Sequence, residues 1–238
     1  MKRILLATNG SGYQIDKCLN FDFFKQSIAL VVSDRHCGAQ EVAQKHQLDH
    51  VNLEEKDSFL LNDKILELAV AQEIDYLISP GFTRVFRGQL LERYKNRVFN
   101  CHPSILPAFR GFYDTRDTRR KYHARKIFER VIDFGSRVTG NTIHVVTENI
   151  DEGRPVLVST MNIPYGEDVS LTRHRLFIQE CKCLLQLVSW LNQDRLRHDD
   201  DGCPVIDGAR FDAPSFSPNL EDEEIIGFNL SFPYQVGE

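Results

Sequence analysis

Residues 97–111 read Arg-Val-Phe-Asn-Cys-His-Pro-Ser-Ile-Leu-Pro-Ala-Phe-Arg-Gly, a short strand-type run followed by two polar residues and a proline. Because a strand alternates its faces, Asn100 and His102 point to the same side. Pro103 cannot donate to a sheet ladder and disfavours a helical conformation before it, so the strand ends at His102. Open parallel sheets bind ligands at this end. The stretch therefore predicts a functional site, with an ordinary capped turn as the alternative.

Strand and helix patterns take turns along the first hundred residues. That alternation predicts an α/β fold, with an open, mostly parallel, twisted sheet and helices on both of its faces. After the central stretch we expect a hairpin, a long amphipathic helix and a small C-terminal hairpin turn. These predictions place strands at 3–7, 27–33, 51–53 and 74–79, helices at 13–19, 39–46, 60–71 and 85–94, the hairpin at 140–160, the long helix at 171–191 and the turn at 206–209.

The 238-residue chain has the composition of a globular protein, with 42% hydrophobic and 26% charged residues. We expect residues 1–211 to form one domain and the acidic, weakly patterned residues 212–238 to form a tail over its surface. A net charge of −5 argues against nucleic-acid binding, and no apolar run is long enough to span a membrane. The six cysteines lack both Cys-x-x-Cys pairs and zinc spacing, which favours a cytoplasmic protein without a bound metal.

The first strand runs directly into Thr8-Asn9-Gly10-Ser11-Gly12, and a helix follows. Free backbone N–H groups and the helix dipole would point at one spot there, and glycines would let a phosphate come close. The pattern is neither the dinucleotide fingerprint nor the Walker loop. We expect an anion site, with a plain strand-to-helix turn capped by Ser11 as the alternative.

A basic stretch covers residues 110–130, where eight Lys or Arg stand against three acidic residues. In an otherwise acidic protein, such a stretch could recognise an anionic substrate or cofactor tail. The alternative, which the pattern favours, is a solvated helix face with a lead-in segment.

Taken together, the motifs of residues 1–211 resemble those of the folate-dependent formyltransferases. Within that family the likeness is greatest to the enzymes that formylate glycinamide ribonucleotide, and it implies their Rossmann-like fold. The matching segments are the phosphate turn at 9–12, the strand-end motif beside the folate cleft at 81–84, the catalytic signature at 100–107, the second signature at 138–146 and the acidic loop at 151–153.

The resemblance implies formyl transfer from 10-formyltetrahydrofolate to a primary amine, with glycinamide ribonucleotide of de novo purine biosynthesis as the favoured acceptor. Asn100, His102 and Asp151 would be catalytic. Asn100 would donate to the formyl oxygen as negative charge develops there, an effect worth about 10²–10³ in rate. His102 would polarise that oxygen or move a proton. Asp151 would set the protonation state of His102, and His144 would support the site.

The resemblance also assigns residues to the binding of both substrates, each a small molecule. The turn of Asn9, Gly10, Ser11 and Gly12 would hold the phosphate of the amine substrate, and Glu180 on the long helix would contact its ribose. Neither a metal nor a covalent enzyme intermediate is required, and a monomer and a homodimer both stay open. The folate would lie against Thr83, Arg84, Val85, Phe86, Val146, Asn149 and Ile150.

Two alternatives to this function stay open. Residues 112–125 look longer than the family segment, and Gly12 stands where the glycinamide enzymes often carry Asn. These departures allow another amine as acceptor, such as an amino-sugar nucleotide. The second alternative is a non-catalytic module that binds a phosphorylated ligand, in which the three polar residues are incidental.

Overall fold

The computed structural model of the protein describes residues 1–110, 124–207 and 209–210. The predicted tail at 212–238 lies outside the described residues. Residues 111–123 of the basic stretch also lie outside them. The described part contains one seven-stranded sheet, helices on both of its faces, and a separate three-stranded sheet. The predicted α/β class with an open, mostly parallel sheet is confirmed.

The large sheet has the strand order β3-β2-β1-β4-β5-β6-β7. Neighbours are parallel from β3 to β5, whereas the β5–β6 and β6–β7 pairs are antiparallel, so the predicted hairpin is the antiparallel edge. The chain moves outward from β1 to β3 and then returns to the other side of β1, which creates a switch point between β1 and β4. The strands are β1 (Ile4–Ala7), β2 (Ile28–Ser33), β3 (His50–Asn52), β4 (Tyr76–Ser79), β5 (Val98–His102), β6 (Val138–Val145) and β7 (Pro155–Asn162).

The helices follow the predictions in most places, and two of them differ. The helix Asp22–Ser27 was not predicted, because its six residues are too few to show a helical period. The helix predicted at 85–94 begins only after Gly88, which has a φ of 63° and breaks the helical conformation. The helices are α1 (Tyr13–Cys18), α2 (Asp22–Ser27), α3 (Gly38–Lys45), α4 (Ser58–Ala71), α5 (Gln89–Arg93), α6 (Ala124–Asp133) and α7 (Val169–Asn192).

The hydrophobic core has two layers, one on each face of the sheet. Alternate residues of β1 serve different layers, so that Ile4 and Leu6 pack with α1, α2 and α7, while Leu5 and Ala7 pack with α4 and α5. A strand buried on both faces reads as a continuous apolar run, as β1 does. The long helix α7 is capped by Asp168, whose side chain accepts from the Ser170 N–H at 2.8 Å. The packing of helices on both faces of the sheet fixes the positions of the strand ends.

The C-terminal part of the domain forms a small antiparallel sheet from β8 (Leu196–His198), β9 (Pro204–Ile206) and β10 (Ala209–Arg210). The pairing of Ala209 with Ile206 confirms the predicted hairpin turn. Within the described ranges, no helix combines the length and the apolar character needed to cross a membrane.

Candidate active site

A cavity of about 380 Å³ opens at the carboxyl ends of β1, β4 and β5. In an open parallel sheet this is the usual ligand position, at the point where the strand order reverses. Its walls come from the loops after these strands, from β6 and the loop that follows it, and from one face of α7. The lining residues are 8–11, 14, 79–86, 100–103, 144, 146, 147, 149–151, 173 and 177.

Four polar side chains, which we call the catalytic corner, meet in this cavity: Asn100, His102, His144 and Asp151. β5 ends at His102, as the sequence predicts, and its antiparallel pairing with β6 sets His144 opposite Asn100. The Asp151 carboxylate lies between the two imidazoles, 3.4 Å from Nδ1 of His102 and 3.6 Å from Nε2 of His144. The structure therefore brings together the three residues predicted as catalytic and the one predicted to support them.

Hydrogen bonds fix the orientation of the Asn100 amide. Nδ1 of His144 lies 2.9 Å from the Val145 carbonyl, which can only accept, so the proton of this ring is on Nδ1. Nε2 of His144 is then an acceptor and takes an N–H from Nδ2 of Asn100 at 3.3 Å. On the other side, Oδ1 of Asn100 accepts from the Ser79 hydroxyl at 3.2 Å. The second N–H of Nδ2 is thereby held in place for a ligand of the cavity.

His102 is completely buried, and its two ring nitrogens have different surroundings. Nε2 donates to the Ala108 carbonyl at 3.3 Å, whereas Nδ1 has no hydrogen-bond partner among the described residues and faces Asp151. Burial lowers the pKa of His102, although the Asp151 charge acts in the opposite direction. With its proton on Nε2, the ring turns the Nδ1 acceptor towards the Asp151 carboxylate, an arrangement that one added proton would stabilise.

The loop that carries Asp151 is pressed against β6. Asp151 has a φ of 55°, a left-handed conformation that is uncommon outside glycine and costs on the order of 1 kcal/mol. Two residues later, a Cβ on Gly153 would lie only 1.6 Å from the Val145 carbonyl oxygen. Only glycine allows this approach, so Gly153 sets how far the Asp151 carboxylate reaches into the corner.

The turn predicted to bind phosphate lines the same cavity, at the carboxyl end of β1. Asn9, Gly10 and Ser11 line the cavity, while Gly12 is buried behind them with a φ of 72° as the N-cap of α1. The Ser11 hydroxyl accepts from the Tyr13 N–H at 3.3 Å, so Ser11 also bonds to the start of the helix. Oδ1 of Asn9 accepts from a backbone N–H at the end of β2, at 3.1 Å, which anchors the turn to the neighbouring strand.

All seven residues predicted to bind folate line the cavity, on the side of β4 and of the loop after β6. Phe82 and Phe86 stack at 5.4 Å between ring centroids, which makes this side apolar. Arg84 is held by two partners, since its Nη2 donates to the Lys56 carbonyl at 2.6 Å and its Nε lies 3.6 Å from Oδ2 of Asp34. The residues predicted to bind the formyl donor therefore all belong to this side of the cavity. They are Thr83, Arg84, Val85, Phe86, Val146, Asn149 and Ile150.

A comparison with known proteins identifies the family of this chain. The sequence model described as formyl transferase matches residues 3–188, most of the chain. This chain belongs to the formyl transferase family. The expected enzyme class, a formyltransferase, is confirmed, and so is the Rossmann-like formyltransferase fold.

Several relatives of this formyltransferase are named for one acceptor. Glycinamide ribonucleotide transformylase 1 from Symbiobacterium toebii has a TM-score of 0.73 and 26% identity, covering 87% of this chain and 94% of its own. Phosphoribosylglycinamide formyltransferase of Mycobacterium tuberculosis H37Rv is 28% identical over 195 residues, 79% of this chain and 84% of the relative. A chloroplastic phosphoribosylglycinamide formyltransferase of Arabidopsis thaliana is 22% identical over 213 residues, 86% of this chain and 70% of the relative. The predicted likeness to these enzymes is confirmed.

Glu180, the residue predicted to contact a ribose, lies behind the cavity of the formyltransferase and does not line it. Its side chain accepts from Nε2 of Gln14 at 3.2 Å, and Gln14 is the residue that reaches the cavity. Burial raises the pKa of Glu180 to about 7, against the lowering effect of hydrogen bonds from Gln14 and Cys101. Its contact with a ribose stays a prediction, and Gln14 is the group that a substrate would meet first.

Sequence reasoning missed several lining residues, among them Gln14, Ser79, Arg173 and Phe177. Arg173 and Phe177 are four residues apart on α7, the spacing of one helical face. That spacing was visible in the sequence, but the element on which the face packs was not. We call residues 9–12 together with Gln14, Arg173 and Phe177 the α1–α7 wall.

Proposed function

We propose that this enzyme transfers the formyl group of 10-formyltetrahydrofolate to the primary amine of glycinamide ribonucleotide, a step of purine biosynthesis. The observation that carries the proposal is the catalytic corner itself, which shares one cavity with the glycine-rich turn and the apolar wall. An amine with a phosphate on one side and a folate on the other would meet there. The names of the relatives support this choice of acceptor.

Attack of the amine nitrogen on the formyl carbon places negative charge on the formyl oxygen. Nδ2 of Asn100, held by His144 on one side and through its amide oxygen by Ser79 on the other, supplies an N–H to that oxygen. A donor that is already oriented needs no rearrangement when the charge develops, and it is worth about 10²–10³ in rate. Asn100 is therefore the proposed oxyanion donor.

The attacking amine must lose a proton, and the folate nitrogen that leaves must gain one. The His102–Asp151 pair can accept this proton, because neutral Nδ1 and the carboxylate face each other at 3.4 Å. The C–N bond to the amine then forms, the C–N bond to the folate nitrogen breaks, and the proton passes to that nitrogen. Acid–base help of this kind gives about 10²–10⁴ in rate.

The two ends of the cavity would hold the two substrates. The folate would lie against the wall at residues 83–86, 146, 149 and 150, and the phosphate of the acceptor would lie at residues 9–12. The ribose would lie against Gln14, whose amide Glu180 orients. Further parts of the proposal are a catalytic domain at residues 1–211 with a tail at 212–238, a monomer or homodimer, and a cytoplasmic location.

An acceptor screen with 10-formyltetrahydrofolate tests this function. Purified protein should formylate glycinamide ribonucleotide, while amino-sugar nucleotides should react more slowly. Turnover only with an amino-sugar nucleotide would keep the reaction and change the acceptor. Folate binding without turnover of either amine would contradict the proposed function.

A further inference from the structure

A buried carboxylate lies just outside the cavity, at the carboxyl end of β2. Asp34 directly follows the last residue of this strand, and only 3% of its side chain is exposed. It does not line the cavity itself. Burial of a carboxylate costs free energy unless charged partners compensate for the loss of water. The partners of Asp34 therefore indicate whether it serves the fold alone or also the site.

Two arginines share the Asp34 carboxylate. Arg35 binds it with both arms of its guanidinium, since Nε donates to Oδ1 at 2.7 Å and Nη2 donates to Oδ2 at 3.3 Å. Nε of Arg84 lies 3.6 Å from Oδ2, and Nη2 of Arg84 donates to the Lys56 carbonyl at 2.6 Å. Arg84 lines the cavity. Asp34 and the Lys56 carbonyl thus hold the guanidinium of a cavity residue in place.

Arg35 carries the contact to a second cavity residue. Its Nη2, which donates to Asp34, also donates to the Thr83 hydroxyl at 3.1 Å. Thr83 lines the cavity, whereas Arg35 does not. The Asp34 side chain therefore acts on two neighbouring residues of the side predicted to bind folate. It acts directly on Arg84, and it acts on Thr83 through Arg35.

The charges of this cluster favour an anionic group in the cavity. Two guanidiniums share one carboxylate, so one positive charge is not compensated within the cluster. Arg35 makes the closer, bidentate pair, whereas Arg84 makes a longer contact to Oδ2 and a bond to a neutral carbonyl. The surplus charge therefore falls mainly on Arg84, the arginine that lines the cavity. A guanidinium held in this way is already oriented for a ligand and loses little freedom on binding.

The backbone of Asp34 makes a separate contact. Its N–H donates to Oδ1 of Asn9 at 3.1 Å, and Asn9 belongs to the glycine-rich turn. This bond survives any replacement of the Asp34 side chain by another residue with a backbone N–H. A side-chain substitution should therefore disturb the folate side of the cavity and leave the turn in place.

We infer that Asp34 is a positioning residue for the formyl donor, which acts through Arg84 and, by way of Arg35, through Thr83. The inference rests on the proposed function only in taking the ligand of this side to be a folate. The identity of the amine plays no part in it.

Steady-state kinetics of Asp34→Asn with both substrates test the inference. The amide has nearly the shape of the carboxylate, but its NH2 group would face a guanidinium, so that Arg84 or Arg35 must move away. We expect the KM for 10-formyltetrahydrofolate to rise about tenfold, the order of one lost charge-assisted hydrogen bond. Both kcat and the KM for the acceptor should change little, since the corner and the backbone bond to Asn9 stay intact. A merely structural role would move all three.

The matched control is Asp207→Asn. Asp207 also accepts from both arms of an arginine, Arg195, but it is exposed and does not line the cavity. This variant should keep the wild-type KM for both substrates. An equal KM for 10-formyltetrahydrofolate in Asp34→Asn and Asp207→Asn would contradict the positioning role.

Titration calorimetry with tetrahydrofolate, without any amine, separates this inference from the proposed function. Binding should be about tenfold weaker in Asp34→Asn than in the wild type. Arg84→Ala should also weaken binding, and the double variant should lose little more than Arg84→Ala alone, because the two residues act as a unit. Arg35→Ala, at an exposed position that the fold tolerates, should weaken binding to a smaller extent, since Asp34 would then neutralise Arg84.

The outcomes are distinct. Weaker binding in Asp34→Asn and in Arg35→Ala would support the inference even if another amine proved to be the acceptor. Equal tetrahydrofolate affinity in the wild type and Asp34→Asn would overturn the inference and leave the proposed function standing. Additive losses in the double variant would overturn the route through Arg84. A wild-type protein that does not bind tetrahydrofolate would overturn both.

Discussion

The catalytic corner and the α1–α7 wall belong to one cavity, but they are built in opposite ways. Three side chains of the corner are buried and Asn100 is half-buried. Its side chains come from the paired strands β5 and β6 and from one tight loop. In the wall, a turn whose Gly10 and Ser11 are exposed lies next to exposed or half-exposed side chains of α7. Under the proposed function, the sheet would position the groups that do the chemistry, whereas the packing of α7 on α1 would position the groups that meet the acceptor.

Substitution in the corner should have the largest effect. We expect His102→Asn to lower kcat by about 10²–10⁴, because the pair loses the ring that accepts the proton. His36→Asn provides the control, since His36 is exposed and pairs with Glu54 away from the cavity. Circular dichroism would establish that both variants are folded. A His102→Asn enzyme with near-normal kcat would show that the corner does not handle the proton.

A change that moves the corner without removing a functional group should have the next largest effect. Gly153→Ala would push the Asp151 loop away from the Val145 carbonyl. A displacement of about 1 Å in such a site can cost roughly 10² in rate. We expect kcat to fall by that order while the KM values change little. Glu152→Ala, in the same loop but exposed, is the control; equal kcat in the two variants would mean that the loop position is not critical.

A smaller effect is expected behind the α1–α7 wall, where Glu180 has a pKa raised from 4.5 to about 7. Between these values the folded state binds the extra proton, so the free energy of unfolding falls as pH rises through the window. Glu180→Gln removes this dependence. One pKa unit corresponds to about 1.4 kcal/mol. The free energy of unfolding of the variant should therefore exceed that of the wild type by up to ~3 kcal/mol above pH 7, and by little below pH 4.5.

Urea unfolding of both proteins across this pH range measures the difference. His102 and His144 have lowered pKa values, so their contribution acts in the opposite sense and is lost as pH falls below the usual histidine value. Both proteins share that contribution, and the difference between them isolates Glu180. A stability difference that does not vary with pH would contradict a buried, titrating carboxyl group at this position.

The sequence was most informative where local chemistry decides the structure. Pro103 predicted the end of β5, and the β–α alternation predicted the sheet and both helix layers. The catalytic corner followed from the motifs, because its residues lie on or next to one antiparallel pair. Glu180 was placed on the right helix, but its separation from the cavity depends on Gln14, a tertiary contact across 166 residues of sequence. Arg173 was not predicted to line the cavity for the same reason, since its place there depends on the packing of α7 on α1.

The most direct measurement is steady-state formyl transfer from 10-formyltetrahydrofolate to glycinamide ribonucleotide, by the wild type and by Asn100→Ala. We expect turnover by the wild type and a kcat lower by about 10²–10³ in the variant, because the oxyanion loses its oriented donor. Asn20→Ala, on the surface after α1, should keep the wild-type rate. Equal kcat values for the wild type and Asn100→Ala would contradict a catalytic role for the corner.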